Sequence, residues 1–367
     1  MPESSDEFEF RPYRPGDAEQ VLGVLRDAYG VWPRFDIGVD PVDHVRWQLG
    51  SPAAPGPPVN WVAVAGDRLC SIHIGYGRSG VLKGREVAMW FGADSATAAD
   101  FQGHGLYTRL RERWLEDARG GYDLFATSPV NPIVIRRLDR EERSSNLGNP
   151  MRLRVKVLDA KQLAGASHTS RGVRDLRVFR LLAFQCLRLF GSAKQRLMRG
   201  RYGAIETHRI DRFDERIDAL WSDVRNGFDF ALERRSEFLN WRYCDGRAGD
   251  YAVFVSEEGG GILGYVAVKI SQGRAHLDDL CARPDRDDIV SGLIGAAEAY
   301  ALERGAAALH CQMVQAHPFN KVLADHGFVD ARLTFNFVSM PLRIGLEEVA
   351  VLERRDAAVH LTGGDLI

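Results

Sequence analysis

Short apolar runs alternate with polar residues along the first third of this chain, and glycines and prolines punctuate them. Residues 8–16 read as a strand closed by Pro15 and Gly16. Asp17 is placed to cap a helix running to Tyr29, with Val21, Leu22, Val24 and Leu25 on one face. Residues 45–49 precede a proline-rich loop at 51–58. Residues 61–65 and 69–74 then predict a hairpin around Gly66 and Asp67. Residues 86–91 suit a buried strand. Leu106, Leu110, Trp114 and Leu115 recur at helical spacing and predict a helix to about Ala118. A strand over 122–127 leads into Ser128 and Pro132.

The middle of the chain differs. Leu153 and Val155 alternate with Arg152, Arg154 and Lys156, a strand pattern. From 171 to 201, eight arginines and Lys194 stand against one acid, Asp175. Inside that segment, 178–190 reads as a basic amphipathic helix. It suits a membrane surface, an RNA contact, or packing between two domains, and the last is the preferred reading. The second half then repeats the first. A helix carries Phe213, Ile217, Leu220 and Trp221. The stretch 236–243 places Trp241 where 42–49 places Trp47. Residues 251–255 and 262–268 repeat the hairpin, 275–282 repeats the long strand, and a helix from about Ile289 to Arg304 follows.

At 367 residues the chain exceeds a usual single domain, so two domains are expected. A net charge of −2 argues against a protein built around nucleic acid. Five scattered cysteines without a C-x-x-C pair fit a reducing compartment. The acidic start at residues 1–7 is unlike a signal peptide, and no apolar run spans a bilayer, so a cytoplasmic protein is expected. No metal motif is present: His104, His310 and His317 lack partner spacing.

The chemistry concentrates between Asp94 and Leu110. Gly103 and Gly105 form a turn between the strand and the helix that begins at Leu106. The first amides of such a helix, at its positive end, suit a phosphate or pyrophosphate. No Gly-Lys-Ser/Thr follows, which excludes a P-loop. The three glycines of a dinucleotide fingerprint are also missing.

The turn resembles the acyl-CoA turn of the GNAT acyltransferases, Gln/Arg-x-x-Gly-x-Gly/Ala. Gln102 and Gly105 fill the first and fourth positions, and Tyr107 replaces the usual sixth Gly or Ala. Gly92, Asp94, Thr97, Gly103, Gly105 and Tyr107 resemble one subgroup's pattern. The stretch 320–329 resembles the closing element of a GNAT domain, and 239–243 and 359–365 resemble a tandem-GNAT group, so the resemblance covers nearly the whole chain. It implies an α+β (αβα) fold of two GNAT-like domains in tandem, each a mixed, mostly antiparallel sheet flanked by helices. The expected divisions are 1–150, a basic linker at 151–205, 206–345, and a tail at 346–367. The second copy has Arg283-Pro284-Asp285-Arg286-Asp287-Asp288 at its turn, with no glycine and three acids, and is expected not to hold coenzyme A.

The resemblance also implies site roles. The turn residues Gln102, Gly103, His104, Gly105, Leu106, Tyr107 and Thr108 would hold the pyrophosphate of acetyl-CoA or another acyl-CoA. Ser95, Ala96 and Thr97 would line the pantetheine arm. Asn131 would contact coenzyme A or cap the next helix. Asp94 is the candidate base, with Glu86 on the same strand as the alternative; a plain strand-end hydrogen bond is the other reading of Asp94. Residues 131–145 hold no tyrosine acid; Arg136, Arg137, Asp139 and Arg140 stand there instead. Tyr107 or the carboxylate of Ile367 could replace it, though an aromatic at a helix start also reads as core. His73, Trp90, Asp94, Ser128 and Asp278 are expected nearest the domain junction.

Three readings follow. The first is an acyl-CoA-dependent N-acyltransferase acting on a primary amine of a small molecule, with a degenerate second domain. The second is an aminoacyl-tRNA-dependent transferase of the paired-GNAT type. The third is an inactive acyl-CoA-binding module.

Overall fold

The computed structural model describes residues 8–51, 55–138, 140, 144–166, 174–203 and 205–366. The acidic start, Asp139 and the candidate carboxylate of Ile367 lie outside the described residues. In chain order the first half gives β1 (Glu9–Pro12), α1 (Ala18–Tyr29), α2 (Pro41–Leu49), β2 (Trp61–Ala65), β3 (Arg68–Leu82), β4 (Arg85–Thr97), α3 (Leu106–Gly121), β5 (Leu124–Thr127), α4 (Pro132–Leu138) and β6 (Ser145–Asn146). Then come β7 (Met151–Val157), α5 (Ala160–Ala166), α6 (Arg174–Tyr202), β8 (His208–Ile210), α7 (Arg216–Val224), β9 (Phe230–Leu232) and α8 (Ser236–Leu239). The rest is β10 (Tyr251–Glu258), β11 (Gly261–Ser271), β12 (Arg274–Ala282), α9 (Asp287–Glu303), β13 (Ala308–Val314), α10 (Asn320–Asp325), β14 (Val329–Phe335), β15 (Val338–Pro341), α11 (Leu346–Val349) and β16 (Val359–His360).

Two mixed, mostly antiparallel sheets result, each flanked by helices. The first has the order β1-β2-β3-β4-β5-β15-β6, with β9 beside β3 and β16 beside β9. The second has the order β14-β7-β13-β12-β11-β10-β8. In each, a hairpin leads to a long strand that pairs in parallel with the strand beyond the next helix: β4 with β5, and β12 with β13. The repeat noticed in the sequence is therefore a repeat of topology.

The sheets exchange strands. β7, inside the segment expected as a linker, pairs with β13 and β14. β15, from the second half, pairs with β5 and β6. No single cut at 150 or 206 separates the sheets, because β9, β15 and β16, all beyond residue 206, belong to the first sheet.

One core runs through both halves, joining Trp47, Met89 and Phe91 to Trp221, Phe230 and Trp241. The two repeat tryptophans stack on each other, with centroids 4.5 Å apart and planes 16° apart. The Trp47 indole N–H donates to the carbonyl of Trp241 at 2.9 Å, and Trp241 donates to that of Trp47 at 3.3 Å. This reciprocity is what a pseudo-twofold axis through the junction demands.

Two local expectations change. Asp17 does not cap α1 with its side chain. Its carboxylate is paired with Arg11 at 2.7 and 2.8 Å and accepts from the Arg14 amide, so it pins β1 to the start of α1. The basic helix, α6, packs chiefly on α5 and β7, and then on α10 and α9, beside the second sheet rather than between the two sheets.

Candidate active site

β4 and β5 pair from Met89 opposite Leu124 to Gly92 opposite Thr127, and there the pairing stops. β5 ends at Thr127, whereas β4 continues to Thr97 beside β3 alone. The strands thus diverge into a notch whose apex lies at Gly92 and Thr127. The Thr127 hydroxyl closes that apex by donating to the Gly92 carbonyl at 2.9 Å. Just past the apex β4 bulges: Gly75 faces Gly92 and His73 faces Ser95, so two residues, Ala93 and Asp94, stand opposite Ile74. A bulge re-aims the chain and its side chains.

The ladder beyond the bulge decides which backbone groups face the notch. The Ala98 amide donates to the Cys70 carbonyl at 2.9 Å. Hydrogen-bonded and non-bonded pairs alternate in an antiparallel ladder, so Ala96 also turns its backbone groups to β3. Ser95 and Thr97 turn theirs to the notch. Ala96 therefore leaves the set of cofactor-lining residues, its carbonyl also accepting from the Ser71 hydroxyl at 2.9 Å. On the notch side, the Ser95 carbonyl accepts from Tyr29 Oη at 2.8 Å and that of Thr97 from Gln102 Nε2 at 3.4 Å. Gln102 thus ties the turn back to the strand.

The strand leads through Ala99–Phe101 into the glycine turn. Gly103 and Gly105 have φ of 87° and 71°, the left-handed region in which glycine is unstrained. Nothing stands within 4 Å of a Cβ built on either. Gln102, Gly103, His104 and Gly105 are exposed. α3 starts at Leu106, its first turn carries no acid, and Leu106 and Leu110 pack on Ala63 and Cys70. The positive end of a 16-residue helix is so anchored beneath an exposed, acid-free turn. Thr108 is exposed and Tyr107 half-buried in the first turn.

Asp94 sits in the bulge. Its Oδ2 accepts from the Trp32 indole N–H at 3.1 Å and from Gln48 Nε2 at 3.3 Å. Burial raises its pKa above the ordinary carboxylate value, against the lowering effect of those two hydrogen bonds and of Arg34. Gln48 is buried, and its Oε1 has no hydrogen-bond partner among the described residues. Tyr29 is pushed up to about 12 by burial first, then by the charge of Asp94, with Tyr107 also contributing. Tyr29, Asp94 and Tyr107 therefore form one neighbourhood. The pattern of the sequence did not single out Tyr29, Trp32 or Gln48. Trp32 lies outside any regular element, and the other two read as ordinary helix positions.

The remaining candidates separate. Glu86 is exposed at the far end of β4 and pairs with Arg225 at 2.7 Å. Eight strand residues from Asp94 correspond to about 26 Å, so Glu86 does not join the notch. It lines a separate cleft of ≈ 410 Å³ with Arg225, Glu233 and Arg235. Asn131 is exposed before α4, and its carbonyl accepts from the Ile135 amide at 3.0 Å. His73 is a core residue: it stacks on Trp114 at 4.3 Å, and burial pulls its pKa down to about 3. Trp90 donates to it at 3.4 Å. Ser128 donates to the Asn336 carbonyl at 2.7 Å.

Asp278 occupies the matching bulge of β12, as the extra residue between Leu277 and Asp279. Here too the parallel pairing stops early, at Leu277 opposite Cys311, although both strands run on. The chain's own tail lies in that second notch. Thr362 bridges to Met313 of β13. Gly364 passes so close to Asp278 that a Cβ would stand 2.8 Å from its carbonyl oxygen. Asp365 pairs with Arg234 at 2.7 Å and with Arg78 of the first sheet at 3.2 Å, all three buried. At the second turn Arg286 holds Asp288 and Glu258.

No family model and no curated protein matches the sequence. Solved structures do match. N-myristoyltransferase of Saccharomyces cerevisiae with bound myristoyl-CoA is 12% identical, at a TM-score of 0.59 over 93% of this chain and 79% of that one. A GCN5-related N-acetyltransferase from Anabaena variabilis is 11% identical, at 0.59 over 91% and 73%. Another from Kribbella flavida is 16% identical, at 0.55 over 92% and 72%. The chain thus has the tandem fold shared by GCN5-related N-acetyltransferases and N-myristoyltransferases.

Proposed function

We propose that this chain is an acyl-CoA-dependent N-acyltransferase, with acetyl-CoA the donor to test first and a primary amine of a small molecule as acceptor. The observation that carries the reading is the diverging notch after Gly92 and Thr127, which ends at an exposed glycine turn on a helix N-terminus and holds a buried carboxylate at its bulge. The amides of Ser95 and Thr97 face the place for an extended pantetheine arm. The turn from Gly103 to Thr108 offers backbone donors to a pyrophosphate. The likeness to structures with bound acyl-CoA supports the same assignment.

Asp94 takes the proton of the acceptor ammonium, and its raised pKa suits a base working near neutrality. Gln48 Oε1, beside it, is an acceptor for a second N–H of the same amine. The free amine attacks the thioester carbonyl; a C–N bond forms, the nitrogen loses its surplus proton to solvent, the C–S bond breaks, and the thiolate takes a proton. Tyr107, in the first turn of α3, is the donor we assign to that step. The second half closes the acceptor side of the notch and holds no coenzyme A of its own.

Calorimetric titration of acetyl-CoA and longer acyl-CoAs tests this on the wild type and on Gly105→Glu. Binding that the substitution abolishes, followed by amine-dependent thiol release, is the expected result. Binding without transfer to any amine leaves a sensing module. Absence of binding to every acyl-CoA overturns the reading.

A further inference from the structure

α6 lies on the protein with its apolar side outward. Leu182, Leu189 and Phe190 are 59%, 62% and 62% exposed. Cys186 and Ala193 are exposed as well. At 3.6 residues per turn these five positions share one side of the helix. The opposite side, where Leu181 and Phe184 are half-buried, is attached mainly by polar and glycine contacts. Gly191 is buried against Gly327. Gln195 donates to Glu298 at 2.8 Å, and Lys194 pairs with Asp325 at 3.5 Å. An ordinary surface helix buries its apolar stripe; α6 leaves its largest apolar stripe in the open.

The charge of the segment narrows what covers the stripe. Residues 171–201 carry eight arginines and one lysine against one acid, in a chain of net charge −2. Arg196 is exposed beside the stripe, and Arg188 is exposed about a quarter turn from the stripe's edge at Leu189. A second copy of the chain would bring two such basic helices together, which like-charge repulsion opposes. RNA would take up the arginines but leaves exposed leucines without a role. An anionic bilayer answers both features: the apolar stripe sinks below the headgroups while arginine side chains reach the phosphates. At 29 residues α6 is long enough to lie flat over several lipids, about 43 Å at the helical rise. Among the described residues no helix is long and apolar enough to cross a membrane.

We propose that α6 is an interfacial helix that docks the protein on membranes containing anionic lipids, through Leu182, Leu189, Phe190 and the arginines around them. The proposal is independent of the acyl-CoA reading, since it concerns the outer face of the second sheet.

Co-sedimentation of the full chain with vesicles is the test. Phosphatidylcholine alone and phosphatidylcholine with phosphatidylglycerol are compared at low salt and at about 0.5 M salt, where screening is strong. Binding to the anionic vesicles only, lost at high salt, is expected. Leu189→Glu with Phe190→Glu should remove it, with a thermal midpoint unchanged within a few degrees. Arg188→Ala with Arg196→Ala should weaken it about thirtyfold. No binding to either vesicle overturns the proposal, as does binding that survives the glutamate pair. A lipid-free dimer that the glutamate pair converts to monomer also overturns it, in favour of self-association.

Discussion

Asp94 and Asp278 occupy the same bulge in two copies of one topology, yet their surroundings differ. Around Asp94 the strand leads to Gly103 and Gly105, and its carboxyl meets only neutral donors, Trp32 and Gln48. Around Asp278 the strand leads to a turn without glycine, and the carboxylate is bonded to Tyr251 at 2.7 Å and to Lys269 at 3.4 Å. Burial pushes both carboxyls up, but for Asp278 Lys269, His276 and Arg242 reverse the sign and hold its pKa below the ordinary value. The tail fills the second notch at the apex, where the first notch has no strand beside the β5-facing edge of Ser95–Thr97 among the described residues. A repeated topology leaves one copy's notch open beside Ser95–Thr97 among the described residues and turns the other into a seat for its own C-terminal segment.

The largest expected effect sets the two turns against each other. Gly105→Glu should lower acyl-CoA affinity about a hundredfold or more, since it adds left-handed strain and a negative charge at the phosphate site. Arg286→Glu, at the matching turn, should leave affinity within about twofold. Equal losses, read by calorimetry, would break the asymmetry of the halves.

Next come the two aspartates. Asp94→Asn should lower kcat by about two to four orders of magnitude. The sign of the pH effect follows from the raised pKa: Asp94 works as a base only when ionised, so activity falls as pH drops, and the limb stands above the usual carboxylate range. Asp94→Asn should flatten that limb in a rate profile. Asp278→Asn should instead act on stability, leaving Lys269 buried without its carboxylate at a cost of about 3 kcal/mol by urea unfolding. Because the pKa of Asp278 is depressed in the fold, its contribution is present above the unfolded carboxylate value and is lost as pH falls through the folded one.

Asp365→Asn tests the tail. It weakens pairs to both Arg234 and Arg78 and should cost about 3 kcal/mol, with earlier protease cleavage near residue 362. A double-mutant cycle of Trp47→Phe and Trp241→Phe should give a smaller coupling of about 1 kcal/mol, reporting the stacked pair across the pseudo-twofold. Smallest of all, Glu86→Gln should change kcat and stability by less than about 0.5 kcal/mol, as befits an exposed ion pair.

The candidate site was legible where its chemistry is local. The turn from Gln102 to Thr108, the strand before it and the helix after it are contiguous, so periodicity and glycine placement expose them. Asp94 was legible through its place just before the pantetheine strand. Glu86 read as the runner-up because sequence ranks residues of one strand by proximity along the chain, whereas an extended strand carries them far apart. Ala96 read as a lining residue because the ladder register, which gives its amide and carbonyl to β3, depends on where Cys70 lies. Tyr29, Trp32 and Gln48 were invisible: Tyr29 reaches Ser95 from α1, and Trp32 and Gln48 reach Asp94 from a loop and α2, between 46 and 66 residues away along the chain.

What the sequence determined by itself was the main strands and helices of each repeat, their repetition, the one glycine turn and the missing second one. These rest on side-chain alternation, helical spacing and backbone freedom, which act within a few residues. Tertiary structure alone decided the exchange of β7 and β15 between the sheets, the meeting of Trp47 with Trp241, the company each bulge aspartate keeps, and the burial of the tail in the second notch. Those outcomes depend on which distant edges and apolar faces find each other when the chain collapses, and pairing between residues hundreds of positions apart leaves no periodic trace in either partner.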